Sequence, residues 1–289
     1  MRYLKLIAVM LFAVLLCACS KGDKERTEYP IGELGTQIAE NSSEINTKIL
    51  LDASLAEING EGATLENGVL TISKGGSYAL SGSFNGTVVV EVTKEEQVEL
   101  VLDGVSIYSE NSAAIYVKSA DKVVINLADE SENILYDGET YAVESGAEPS
   151  ACIYSADDLT ICGSGTLKVN ANCRNGIQTK NDLRIKGGEL IVSAPKNALK
   201  GKDSVQISGG VITVTAATDA IKSDNEKEED RGKVVIGGGE LNLSCQDDGI
   251  QAFRSVQISG CSIEIDAGDK DINCDGKVEI EEGCILNEE

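Results

Sequence analysis

A phrase of about 22 residues recurs through the second half of the chain, and no other feature narrows the fold so much. From Asn175 to Ala267 it reads NGIQTKNDLRIKGGELIVSA, NALKGKDSVQISGGVITVTA, DAIKSDNEKEEDRGKVVIGGGELNLSC and DGIQAFRSVQISGCSIEIDA. An aliphatic residue marks the same place in each unit, at Ile177, Leu199, Ile221, Ile250 and Ile272, in steps of 22, 22, 29 and 22 residues. The long step is a unit with seven extra residues near NEKEEDR. Self-similarity at a fixed period of this size means stacked repeats, none of which buries its apolar face alone.

Within each unit the apolar residues alternate. Leu183 and Ile185, then a Gly-Gly corner, then Leu190, Val192 and Ala194 share one side. The set returns as Val205, Ile207, Ile212, Val214 and Ala216, and again as Val256, Ile258, Ile263, Ile265 and Ala267. A period of two is the mark of a strand, and paired glycines between runs mark a sharp corner. Three short strands per repeat predict an all-β chain built as a single-stranded parallel β-helix with ~22 residues per coil, its coils stacked about 4.8 Å apart. The repeat extends less regularly back to residue 45. There AAIYVKSADKVVI aligns with SACIYSADDLTI, and the 38 residues from Ile115 to Ile153 hold an insertion expected as an exposed loop.

The first nineteen residues follow another logic. Arg2 and Lys5 precede an apolar stretch from Leu6 to Leu16, which suits a secretory signal and is short for a membrane span. Leu16-Cys17-Ala18-Cys19 resembles a bacterial lipobox, which implies cleavage before Cys19 and a lipid on its sulfur. The expected organisation is a lipoprotein signal peptide over 1–18, a lipid anchor and flexible tether over 19–44, and the repeat domain over 45–289. This places the protein on the extracellular face of the cell membrane.

Charge and composition exclude several functions. Asp and Glu number 48 against 25 Lys and Arg, a formal charge of −23, so duplex nucleic acid, which is bound by neutralising phosphates, is not an expected partner. The chain has no His, which excludes histidine triads and histidine metal ligands, and no Trp to stack on a sugar. Of the cysteines, Cys245 occupies the inward slot held elsewhere by alanine and reads as a small buried residue. Cys261 and Cys284 fall on adjacent coils, one residue apart in register, and a disulfide between them stays open alongside two free thiols.

Aligning the repeats places Asn175, Asn197, Asp219 and Asp248 in one column, with Asp247 beside it and Asp224 opening the acidic insertion. Asp219, Asp247 and Asp248 then repel one another unless a cation offsets them, and Ca²⁺ takes six to eight oxygen ligands of this kind. The competing reading is a corner column whose Asn and Asp side chains bond backbone at tight bends. A second candidate is Asp271, Asn273 and Asp275, spaced as in an EF-hand loop with Gly276 and Glu282, although strand-like flanks argue against the helices of that motif. Lys200 and Lys222 stand one repeat apart, as do Lys180 and Lys202. As an outward ribbon they suit uronate carboxylates; as plain surface lysines they need no ligand.

VELVLDGVSIYSENSAAIYVKSADKVVINLAD, DDLTICGSGTLKVNANCRNGIQTKNDLRIKGGELIV, DAIKSD and DDGIQA together resemble the bacterial cell-surface family of carbohydrate-binding domain-containing proteins, over roughly residues 46–289. The resemblance implies a right-handed β-helix similar to pectate lyases, bound Ca²⁺, and binding of plant-wall polysaccharide, notably polygalacturonate and cellulose. It implies no established catalysis. KDINCDG departs from the family's DGIDSNG-like phrase and puts a ligand role for the last coil in doubt. The expected protein is a monomeric, lipid-anchored polysaccharide binder. The alternatives are a Ca²⁺-dependent polysaccharide lyase with Lys200 or Lys222 as base, and an adhesin with no saccharide ligand.

Overall fold

The computed structural model describes residues 44–142 and 148–284. The signal peptide, Cys19 and the tether up to residue 43 lie outside the described residues, as does Glu289. Among the described residues the fold is all-β, with strands from Thr47–Ala53 to Lys277–Ile280 gathered into sheets of fifteen and ten strands.

The smaller sheet runs in order along the chain. It joins Ala63–Glu66, Val69–Ile72, Thr87–Glu91, Ile115–Ser119, Ala151–Ser155, Asn175–Thr179, Leu199–Gly201, Ile221–Ser223, Ile250–Ala252 and Ile272–Cys274. Its hydrogen bonds use the register aligned above: Ile115 pairs Ile153, Ile153 pairs Ile177, and the series continues through Leu199, Ile221, Ile250 and Ile272. The 29-residue step keeps this register because the inserted segment folds outward. Asn225 Oδ1 accepts the backbone N–H groups of Lys227 and Glu228 at 3.1 and 3.3 Å, and Arg231 lies 3.3 Å from Asp203.

The larger sheet corrects the single-stranded right-handed β-helix. Its pairing closes on itself through Gln97–Ser109, Lys122–Leu127, Asp158–Gly163, Asp182–Ile185, Ser204–Ala216, Glu189–Ala194, Thr166–Asn170 and Glu132–Asp137, with the last strand bonded back to the first. These eight strands form a closed parallel ring, barrel-like, beside the second sheet. The reason lies at the corners. Gln97–Ser109 and Ser204–Ala216 are each 13 residues long and run through their glycines, so one strand pairs with two different neighbours on its two halves. Ser204–Ala216 bonds Asp182–Ile185 before Gly209 and Glu189–Ala194 after Gly210. Periodicity reports which side chains point inward; it does not report whether a corner interrupts the ladder.

The core lies between these sheets. Leu183, Ile185, Leu190, Val192 and their equivalents through Ile265 are buried, whereas Val278 and Ile280 in the last repeat are exposed, and Cys245 sits buried in register with Ala216 and Ala267. Two antiparallel hairpins stand at the amino-terminal end, Thr47–Ala53 with Leu55–Asn59 and Ala63–Glu66 with Val69–Ile72. Asn67 and Gly68, at φ 50° and 75°, make the second turn, and Asn-Gly between alternating runs is a hairpin signal that the repeat reading passed over. The insertion expected as an exposed loop is in part strand, Glu132–Asp137, and its Tyr141 is buried with its hydroxyl donating to Asp137 at 2.5 Å.

Gly210 shows what the corners demand. Its φ is +103°, and a Cβ there would meet the Gly188 carbonyl oxygen at 2.8 Å. Gly210→Ala is expected to lower stability by about 1–3 kcal/mol, the range for a strained backbone position. Gly237→Ala, where a Cβ meets nothing nearer than 4.0 Å, is the control. Equal melting temperatures for the two variants would contradict the corner assignment.

Candidate functional site

The Asn/Asp column exists, and the backbone builds it. Each rung turns at the same point, and each member's side-chain oxygen accepts the backbone N–H of the next member. Asn175 Oδ1 takes the Asn197 N–H at 3.1 Å, Asn197 Oδ1 takes the Asp219 N–H at 3.4 Å, and Asp219 Oδ1 takes the Asp248 N–H at 3.3 Å. At Asn175 and Asn197 this bonding is nearly complete, since Asn175 Oδ1 also accepts the Asn197 side-chain amide at 3.0 Å and Thr218 donates to Asn197 at 2.8 Å. These two serve as turn residues.

The next two positions carry charge where the first two carry amides. Asp219 and Asp248 are 1% and 2% exposed, and Asp247 stands exposed beside them. One oxygen from each of the three lies within 4.8 Å of the others. At such separations like charges repel, most strongly between the buried pair Asp219 and Asp248. Lys222 Nζ reaches Asp219 Oδ2 at 2.8 Å, and the Asn273 side-chain amide donates to Asp248 Oδ2 at 2.7 Å. One ammonium offsets one of three charges. The remainder acts on Asp247, whose carboxyl is pushed up by Asp219 first, then by loss of solvent and by Asp248 and Asp269, against the opposing pull of Lys222.

Asp248 Oδ1 is buried with no hydrogen-bond partner among the described residues, as is Gln251 Oε1 in the same rung. A buried carboxylate oxygen without a donor costs free energy that a bound cation would recover. The donor set, three hard carboxylates, fits Ca²⁺ by its chemistry, and the nearby Cys245 thiol donates to the Asp247 carbonyl at 3.7 Å. Asp219, Asp247 and Asp248 are the residues that could hold it.

The other expected ligands are placed differently: Asn273 touches the cluster, and Asp224, Asp271 and Asp275 are not among the three carboxylates it brings together. Asp224 is tied to Lys200 at 2.6 Å. Asp271 and Asp275 are exposed around the Ile272–Cys274 strand, and Asn273 between them turns its amide to Asp248. The flanks of this segment, Ser262–Ala267 and Lys277–Ile280, are strands, so an EF-hand is absent among the described residues.

Of the four lysines, Lys200 and Lys222 stand side by side and are each engaged by a carboxylate, while Lys180 and Lys202 lie just past the ends of their strands. Lys200 pairs in register with Lys222, Lys180 contacts Glu148, and Lys202 is exposed. One longer column contains Lys200 and Lys222. Val89, Tyr116, Tyr154, Gln178, Lys200, Lys222, Gln251 and Asn273 pair in succession across the smaller sheet. The two tyrosines stack edge-on with ring centroids 5.7 Å apart. Sequence reading missed them, although each follows an aligned isoleucine, Ile115 or Ile153, at the position that Lys200 and Lys222 hold after Leu199 and Ile221.

Known proteins share this architecture. A family model described as "Carbohydrate-binding domain-containing protein" matches residues 66–285. A protein of the same description from Acetivibrio thermocellus is 47% identical over 249 residues, covering 85% of this chain and 87% of the relative. A solved structure described as the polysaccharide lyase-like protein from C. thermocellum, a gadolinium derivative, is 44% identical with a TM-score of 0.82, covering 85% of this chain and 100% of that one. The family expected from the repeated phrases is the family found, and the chain belongs to the carbohydrate-binding domain-containing proteins.

Proposed function

We propose that the protein is a lipid-anchored, cell-surface binder of plant-wall-type polysaccharide, polygalacturonate or cellulose, assisted by Ca²⁺ held at Asp219, Asp247 and Asp248. Membership of the family supports the saccharide ligand. The single observation that carries the calcium is Asp248 Oδ1, a buried carboxylate oxygen without a partner inside a three-carboxylate cluster. Bound there, Ca²⁺ supplies positive charge to oxygen ligands of a glycan. In the column from Tyr116 to Asn273, Tyr154 is buried and the other members are partly exposed, so a linear polymer would meet the partly exposed members, on rungs about 4.8 Å apart.

Charge separates the two glycans. A chain of net charge −23 repels a polyuronate unless a cation bridges them, whereas cellulose is neutral. Lys222 is the nearest competitor of calcium, because its ammonium occupies one oxygen of Asp219. The second reading, a lyase, draws on the description of the solved relative. Against it, the amines of Lys200 and Lys222 are both engaged by carboxylates, an arrangement suited to donating hydrogen bonds and not to accepting a proton.

Retention of the protein on polygalacturonate is expected to fall when EGTA replaces Ca²⁺, while retention on cellulose changes little. Equal polygalacturonate retention in both buffers contradicts the role of calcium, retention on neither polymer contradicts the function, and accumulation of unsaturated uronate products favours the lyase.

Melting in EGTA tests the cluster without any glycan. Lys222→Met leaves the Asp219 oxygen unpaired and is expected to cost about 1–3 kcal/mol, recovered when Ca²⁺ is added. Asp247→Asn removes one repelling charge and is expected to raise the melting temperature in EGTA and to lower the gain from Ca²⁺. The opposite signs would contradict the electrostatic account. For the anchor, Cys19→Ala is expected to move the protein from the membrane to the soluble fraction, and wild-type membrane recovery would contradict it.

A further inference from the structure

The carboxy-terminal end of the stack carries a pair of thiols that the glycan site does not use. The last rung, Ile272–Cys274 and Lys277–Ile280, has a neighbour on one side among the described residues, and Val278 and Ile280 are 42% and 45% exposed. After Ile280 the chain folds back. Glu281 N–H donates to the Ile258 carbonyl at 2.8 Å, Gly260 N–H donates to the Glu281 carboxylate at 2.8 Å, and Ile263 N–H donates to the Cys284 carbonyl at 2.8 Å. Gly283, at φ +84°, turns the chain so that Cys284 enters the core, 4% exposed. Cys261, half-buried, packs against the same core, and the bond from Ile263 N–H to the Cys284 carbonyl brings Cys284 within two residues of Cys261 on the neighbouring segment. This turn is why a one-residue offset in register does not separate them: Cys284 approaches from the fold-back and not from a paired strand.

We propose that Cys261 and Cys284 are a disulfide site that clamps the last rung onto the stack. Both are free thiols in this structure. The loop that the bond closes contains Asn273, whose amide braces Asp248, and Asp269, which acts on Asp247. Oxidation therefore adds a covalent tie to the rung that backs the acidic cluster, and reduction leaves it held by its strand pairing and the three hydrogen bonds above.

The oxidant is a small-molecule disulfide. One cysteine sulfur, as thiolate, attacks a reagent sulfur and releases one reagent thiol, leaving a mixed disulfide. The second cysteine sulfur attacks the protein sulfur of that bond and displaces the other reagent thiol. The protein loses two electrons and two protons, and the reagent gains them as two thiols. Burial, then the contact with Cys284, pushes the Cys261 thiol up to about 12, so at neutral pH exchange is slow until the terminal turn opens.

The test uses the full chain, incubated with oxidised glutathione, alkylated, digested and mapped by mass spectrometry. The expected result is a cross-link between Cys261 and Cys284 that reductant removes. The oxidised chain is expected to melt several degrees above the reduced one, and Cys261→Ser, at the more exposed partner, is expected to melt alike in both conditions. Alkylation of both cysteines after oxidation, pairing of either with another cysteine, or a cross-link with no rise in melting temperature would each overturn the proposal. Cys284→Ser, read by the peptide map alone, keeps the test valid if loss of the buried thiol unfolds the rung.

Discussion

Parallel hydrogen bonding between equivalent positions of successive repeats is the constraint on which the rest depends. A parallel ladder places like residue over like residue, about 4.8 Å apart, so any choice made in one repeat is answered by its neighbours. Inward, this yields a continuous aliphatic core from Ile49 to Ile265. At the corners it requires glycines, because a Cβ at Gly210 or Gly239 points at the carbonyl of the rung before. Outward, it turns single side chains into columns.

Columns reward neutral hydrogen-bonding residues and penalise charge. Asn175 and Asn197 stack without cost, since each amide oxygen accepts the next backbone N–H. Asp219 and Asp248 keep that bond geometry and add charge to it, with Asp247 alongside. Nothing in the turn itself needs the charge, because asparagine performs the same structural task two rungs earlier. The acidic residues are thus an addition to the architecture, and a partly offset addition, given one lysine among three carboxylates. The pairing of Lys233–Cys245 with Ser204–Ala216 on one side and Ser262–Ala267 on the other keeps these rungs aligned.

Much of this was legible from the sequence, for a physical reason. Side-chain period and repeat length are local quantities, so the inward positions, the 22-residue register and the column from Asn175 to Asp248 could be read directly, as could the family. Three features could not. The continuity of Ser204–Ala216 through Gly209 and Gly210 is a property of backbone hydrogen bonds, and periodicity is the same whether or not a corner breaks the ladder. The pairing of Lys200 with Asp224 and of Lys222 with Asp219 depends on side-chain reach, so lysines expected on an outward ribbon are bound to their own chain. The spacing of Asp271, Asn273 and Asp275 matched a calcium loop in one dimension, while the strand Ile272–Cys274 sends Asn273 to Asp248.

The cation site proposed at Asp219, Asp247 and Asp248 depends on the stacking of rungs that brings these carboxylates together. Anomalous diffraction from crystals grown with Ca²⁺ tests it most directly. The account predicts a peak bounded by these three carboxylates, with Asp248 Oδ1 among the ligands and Lys222 displaced from Asp219. A map with no peak there, and Lys222 still bonded to Asp219, would contradict it.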